Sequence, residues 1–249
     1  MSTNYNELAL KIRQHVVRMT HDAKSSHVGS CLSCADILAV LYGGVLQKED
    51  KFIMSKGHAS AALYATLAEC GYFPLSDLEG FYNGKLSGHV SHFIKGVEAS
   101  TGSLGHGLSI GCGMALTTKN KVYVLLSDGD LNEGSTWEAV MFASQHKLSN
   151  LTVIVDYNGF QCTGRTQDII NLKPLSEKWR AFGWFVLNID GHSYRDLENA
   201  FEKFEIDSPI CIITNTIKGK GVIILENTVE SHHRYLNNEE LKQALGELR

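Results

Sequence analysis

The 249-residue chain is 43% hydrophobic and 20% charged, enough for one large α/β domain with its own core. A formal net charge of −4 leaves no basic excess to neutralise a phosphate backbone, which argues against nucleic-acid binding. No run approaches the ~18 apolar residues of a membrane span, and MSTNYNELALKIRQHVV lacks the regions of a secretory signal, so a cytoplasmic protein without membrane contact is expected.

Leu8, Ile12, Val16, Met19 and Ala23 recur at helical spacing and predict a first helix over 6–23. KSSHVGS reads as a loop. A second helix follows, with Ser33 as its N-cap, Ile37, Leu38 and Leu41 on one face, and Gly43-Gly44 as a stop. Cys31 and Cys34 form a CxxC near its start, but no second pair completes a zinc site, so the thiols are read as packing groups. KFIMS is a short buried strand, and GHASAALYATLAECG a helix closed by Gly71.

From Lys121 onward the pattern alternates. VYVLLS, LTVIVDY, GWFVLNI and PICIIT read as strands; TWEAVMFASQHKL and SYRDLENAFEKFE read as helices between them. In the first of these helices Trp137, Val140, Met141 and Leu148 form the predicted apolar stripe. Strands without polar alternation, separated by helices, predict an α/β fold: a doubly wound parallel sheet with helices on both faces. Ligands of such sheets bind beyond the carboxyl ends of the strands. Residues 1–249 read as a single domain with a C-terminal arm, ending in an amphipathic helix, NNEELKQALGEL.

One strand runs into LSDGDLNEG, where Asp128 closes it, and the next closes at Asn158 in VDYNGFQ. One βαβ unit separates them, so the two tips can be neighbours. A carboxylate beside a carboxamide oxygen makes a hard-oxygen half-shell for Mg²⁺ or Ca²⁺, completed by water and phosphate oxygens. Gly129 permits close approach of a phosphate, and the following helix offers its N-terminal amides to an anion. Asp-Gly or Asn-Gly alone would be an ordinary turn; the pair points to a metal-bound diphosphate. IKGKG lacks the spacing of a nucleotide phosphate loop. GHGLSIG follows a polar loop rather than a strand, which argues against a dinucleotide cofactor and for close helix packing.

Asp-Gly, Glu133, a helix, a strand and Asn158 in that order resemble the thiamine diphosphate motif. SHVGS, SKGHASAALYATLAECGYF, SGHVSHFIKGVEASTGSLGHGLS, KWRAFGWFV, DGHSY and TIKGKGV resemble transketolase, over residues 24–234. The resemblance covers only the family's diphosphate-binding domain, the thiamine diphosphate-binding fold. It implies the N-terminal subunit of a split transketolase, which moves a two-carbon ketol unit from a ketose or its phosphate to an aldose or its phosphate. It also implies a second polypeptide carrying the pyrimidine-binding domain and an A2B2 heterotetramer.

By that resemblance, Asp128, Asn158 and the carbonyl of Phe160 hold the metal. Gly129 lies against the diphosphate of the cofactor, and Gly102 and Leu104 border its rings. Glu133 joins a carboxylate network between subunits. His27 and His232 face the reacting oxygens, while His58 and His89 face the donor's terminal hydroxyl. His58 and His232 also touch the diphosphate, with His233 an alternative to His232. His21, His92, His106, His146 and His192 are read as packing or surface residues. Four departures from the family stand out. Ser127 replaces a glycine and adds a hydroxyl near the metal. Val28 replaces a proline, which is expected to loosen the loop carrying His27. His106 replaces a glutamine, and the segment between LYGG and KFIMS is short. The alternatives are another thiamine diphosphate enzyme subunit, of deoxyxylulose-phosphate-synthase or keto-acid-dehydrogenase type, and a non-catalytic regulatory relative.

Overall fold

A computed structural model describes residues 4–202 and 206–249. Asn4 caps the first helix, α1 (Tyr5–Asp22), by accepting from the Glu7 amide at 3.3 Å. Ile12, Val16 and Met19 are buried along it, as the spacing predicts. The next helix begins earlier than expected. SHVGS is a loop only as far as His27; α2 (Val28–Ser33) and α3 (Ala35–Val40) follow, and the chain continues through both glycines as a π turn, Leu41–Val45. Ser33 is therefore not an N-cap. Its hydroxyl donates to the Ser30 carbonyl at 3.1 Å and to Asp156 Oδ2 at 2.6 Å, drawn inward by a buried carboxylate.

Strand β1 (Lys51–Met54) leads through a 3-10 turn, Gly57–Ala59, into α4 (Ser60–Glu69). Then come α5 (Gly107–Thr117), β2 (Val122–Ser127), α6 (Gly134–Gln145) and β3 (Leu151–Tyr157). After them lie a single turn, α7 (Thr166–Ile169), then α8 (Leu175–Ala181), β4 (Phe185–Asp190), α9 (Tyr194–Ala200), β5 (Ile210–Asn215) and α10 (Asn238–Glu247). The predicted extension of α9 over 203–205 lies outside the described residues.

The five strands are all parallel, in the order β1-β2-β3-β5-β4. Side-chain alternation splits each strand between two cores. Phe52, Met54, Tyr123, Leu125, Ile154 and Ile212 face the core shared with α1, α3, α4 and α10. Ile53, Val124, Leu126, Val153, Val155 and Ile213 face the core shared with α5, α6 and α8. Helices thus cover both faces, the expected α/β arrangement. The stripe of α6 differs from the prediction. Thr136, Ala139, Val140 and Ala143 are buried, whereas Met141 is 51% exposed, because small residues set the close face of this helix.

Two polar ties lock the loops at the sheet's carboxyl edge. Asp36 accepts from both terminal nitrogens of Arg13, from Tyr194 Oη at 2.8 Å and from His192 Nδ1 at 2.7 Å. His192 Nε2 then accepts from the Ile217 amide at 2.9 Å, which fixes the start of the 217–221 loop. The C-terminal segment packs back on α1, with Gln14 donating to the Leu248 carbonyl at 2.9 Å and Leu236, Ala244 and Leu248 buried. Among the described residues no helix is long and apolar enough to cross a membrane.

Candidate functional site

Four strand tips supply the site. β1 exits into Ser55-Lys56-Gly57-His58, β2 into Asp128, β3 into Asn158, and β5 into Thr216-Ile217-Lys218. Parallel register pairs Ser127 with Asp156, so Asp128 and Asn158 leave the sheet side by side.

Asp128 is fully buried. Its Oδ2 accepts from the amides of Asn158 at 3.1 Å and Gly159 at 3.2 Å, while its buried Oδ1 has no partner. Burial, and then the charge of Asp156, push this carboxyl up to about 7, against the pull of the two amides and of Lys56. A buried carboxylate oxygen left open in this way is free to take a cation. Asn158, 8% exposed, orients its carboxamide by accepting from the Phe160 amide at 3.0 Å. These hard oxygen donors fit Mg²⁺ or Ca²⁺. The backbone is shaped for close approach: a Cβ on Gly129 would sit 2.7 Å from Leu104 Cδ1. Gly102 has φ +149°, and a Cβ there would lie 2.9 Å from the His89 ring. One expectation needs correction. The helix meant to offer its amides to the diphosphate starts only at Gly134, because a 3-10 turn, Gly129–Asn132, intervenes.

Beside this pair lies a cavity of about 210 Å³. His27, His58, His89 and His232 line it together with Ser30, Lys56, Gly102, Leu104, Ser127, Gly129, Asn158, Phe160, Gln161 and Cys162. The His27 ring centroid lies 5.3 Å from that of His58, 5.6 Å from His89 and 4.9 Å from His232. His27 adopts φ +76°, and its amide donates to the His232 carbonyl at 2.8 Å. Val28 is fully buried, and the adjoining Gly29 carbonyl accepts from Gly219 N at 3.0 Å. His233 touches His232 but does not line the cavity. Among the described residues no group of three or more His, Cys, Asp or Glu is arranged to hold a metal. Glu133 is exposed at the start of α6, outside the cavity. Cys31 and Cys34 are buried free thiols pushed up by burial to about 11 and about 12, hence inert.

Two cations beneath the cavity escaped the sequence reading. Lys56 is fully buried; its ammonium bonds Asp156 and donates to the Ser30 carbonyl at 2.9 Å. Asp156 also accepts from Ser33 and Thr216. Burial alone would push Asp156 up, but Lys56 and these hydroxyls hold it below the ordinary carboxylate value. Lys218 is likewise fully buried, donating to the Gln161 carbonyl at 3.1 Å and lying 5.7 Å from the Phe160 ring centre. Burial, then repulsion from Lys56, lowers it to about 8. Lysines inside SKGH and IKGKG, where the chain turns off a buried strand, were the available signal.

Burial, then neighbouring charges, lowers His27 to about 4 and His232 to about 3. Both imidazoles are therefore neutral in the folded chain at pH 7. The folded state binds fewer protons than the unfolded one, so stability is full above 6.5 and falls as pH drops toward 4. A His232→Asn variant is expected to lose less thermal stability across that acid window than the wild type, as scanning calorimetry at a series of pH values would register. Equal losses would contradict the assigned burial.

Residues 5–248 match the family described as "Transketolase, thiamine diphosphate binding domain". The chain is 38% identical to an apulose-4-phosphate transketolase subunit of Phocaeicola vulgatus, over 96% of this chain and 91% of that protein. It is 40% identical to a 6-deoxy-6-sulfo-D-fructose transketolase subunit of a Clostridium species, over 89% and 88% respectively. Against the crystal structure of transketolase from Campylobacter jejuni the TM-score is 0.92 at 32% identity, covering 98% of this chain but only 42% of that one. The chain thus spans under half the length of single-chain transketolases and nearly all of the separate subunits. With the matched domain, the parallel sheet and the clustered tips in agreement, the chain belongs to the transketolase family, as its N-terminal thiamine diphosphate-binding domain.

Proposed function

We propose that this chain is the diphosphate-anchoring subunit of a two-chain transketolase, transferring a two-carbon ketol unit from a ketose to an aldose. The observation that carries the reading is the buried Asp128 carboxylate with one oxygen open, held against Asn158, which lines the four-histidine cavity together with Ser127 and Gly129 on either side of Asp128. Asp128, Asn158 and the Phe160 carbonyl would hold Mg²⁺ or Ca²⁺. Gly129, His58 and His232 would meet the diphosphate, and Lys218 would add positive charge below it. Gly102 and Leu104 would border the rings. Thiamine diphosphate, when bound, supplies an electron sink for the carbanion left by carbon–carbon cleavage.

The chain's own part is positioning and proton handling. Neutral His27 and His232 can accept hydrogen bonds from the reacting hydroxyls, and the negative charge of a bound diphosphate would raise both imidazoles toward the range that proton transfer near pH 7 needs. His58 and His89 would hold the donor's terminal hydroxyl. Substrates bearing an anionic tail suit the reading, since the named relatives act on a sugar phosphate and a sulfo-sugar. The complementary chain would carry the pyrimidine-binding domain, in an A2B2 assembly with Glu133 in its subunit contacts; relatives that are themselves named as one subunit of a transketolase support a second chain. All six cysteines are free thiols, which suits a reducing cytoplasm.

The test is reconstitution. The purified chain mixed with its complementary subunit, thiamine diphosphate and Mg²⁺ should form a ketol-transfer product from a ketose phosphate and an aldose phosphate. The chain alone should give none. Robust turnover by the single chain would overturn the two-chain reading, and carbon dioxide release from pyruvate would favour a different thiamine diphosphate enzyme.

A further inference from the structure

The second aspartate of LSDGDLNEG has a different environment from the first. Asp130 is fully buried, and no cation pairs with it among the described residues. Four donors fill it. Oδ1 accepts from Ser55 Oγ at 2.6 Å and from the Gly105 amide at 3.0 Å. Oδ2 accepts from the Ser127 amide and from Ser127 Oγ, both at 2.8 Å. The hydroxyl that distinguishes Ser127 from the family's glycine is therefore turned to Asp130.

The donors come from three separate segments. Ser55 lies three residues before His58 on the exit of β1; Gly105 directly follows Leu104; Ser127 directly precedes Asp128. One carboxylate thus joins the strand tip that leads to His58, the loop that carries Gly102 and Leu104, and the tip that carries the metal-binding candidate. The joint is tight, since Leu104 Cδ1 occupies the space where a Gly129 Cβ would stand. We infer that Asp130 is a positioning residue: a buried, fully bonded carboxylate that sets the Leu104 loop against the Asp128 tip, with Ser127 as its dedicated donor. This inference rests on the proposed cofactor site and adds to it the group that aligns its two halves.

The variant Asp130→Asn tests it. Whichever way the amide turns, its NH₂ group faces either the Gly105 amide or the Ser127 amide, so one backbone donor loses its acceptor. In the reconstituted two-chain complex, deuterium uptake should speed up in peptides spanning 101–106 and 125–131, with the β3 and β5 peptides unchanged. The KM for thiamine diphosphate should rise about tenfold, the loss expected for one buried unpaired donor, with kcat at saturating cofactor near the wild-type value. Ser127→Ala, which removes only the hydroxyl, should shift KM the same way by roughly two- to fivefold; it stays informative if Asp130→Asn does not fold. Wild-type uptake in both peptides with an unchanged KM would overturn the role. So would a fall in kcat alone. A wild-type complex that takes up no thiamine diphosphate would instead sink the cofactor reading itself, a result that the uptake pattern cannot mimic.

Discussion

Asp128→Asn is expected to weaken Mg²⁺-dependent thiamine diphosphate binding by more than the roughly 10–100-fold that loss of an outer metal partner costs. Ketol transfer should fall with it. The substitution is nearly isosteric. The remaining oxygen can still accept from the Asn158 and Gly159 amides, so the local turn is kept. What disappears is the negative charge and the open Oδ1. Because that charge is buried with one oxygen unbonded, the cofactor-free variant should melt no lower than the wild type. Affinity and stability would then move in opposite directions, the signature of a group kept for its ligand rather than for the fold. Calorimetric titration of the reconstituted complex, with thermal melts of the free chain, reads both. Undiminished affinity would remove Asp128 from the site.

Lys56→Met should act in the reverse sense, on the fold first. Lys56 and Asp156 are both fully buried, and removing the cation leaves Asp156 as an uncompensated charge beneath the cavity. Breaking such a pair costs about 3–5 kcal/mol. For a chain of this size that lowers the melting temperature by roughly 6–20 °C. Asp156→Asn placed on top should recover much of the loss, since asparagine is neutral: its one oxygen can accept from Ser33 or Thr216, and the other hydroxyl can turn to accept from its NH₂. Urea unfolding of the single and double variants measures the coupling. A single variant within about 1 kcal/mol of wild type would mean the pair adds little.

Much of the architecture was legible because it depends on local pattern. Unbroken apolar runs at VYVLLS and PICIIT, and the stripe from Leu8 to Met19, reflect burial that any such sheet and helix must have. Strand order was not legible: β5 enters between β3 and β4 through contacts far apart in sequence. Ser33 misled because a serine before an apolar run is a standard cap, whereas here a buried carboxylate competes for its hydroxyl. Met141 misled because side-chain size suggested burial, while Ala139 and Ala143 set the packed face.

The candidate site divides in the same way. Asp128 and Asn158 could be read from strand ends one βαβ unit apart. The four histidines needed the family resemblance, since nothing local to His27, His58, His89 or His232 says that their rings meet. Lys56, Lys218 and Asp130 were unreadable for a further reason. Their importance comes from burial and partners, and lysine and aspartate are ordinarily surface residues.

The most direct measurement is an anomalous-scattering map of the reconstituted complex crystallised with Mn²⁺ and thiamine diphosphate. The account predicts one peak about 2.0–2.2 Å from oxygens of Asp128 and Asn158, with the Phe160 carbonyl and phosphate oxygens completing the shell. A fully occupied cofactor whose metal lies elsewhere, with Asp128 Oδ1 still unbonded, would contradict it.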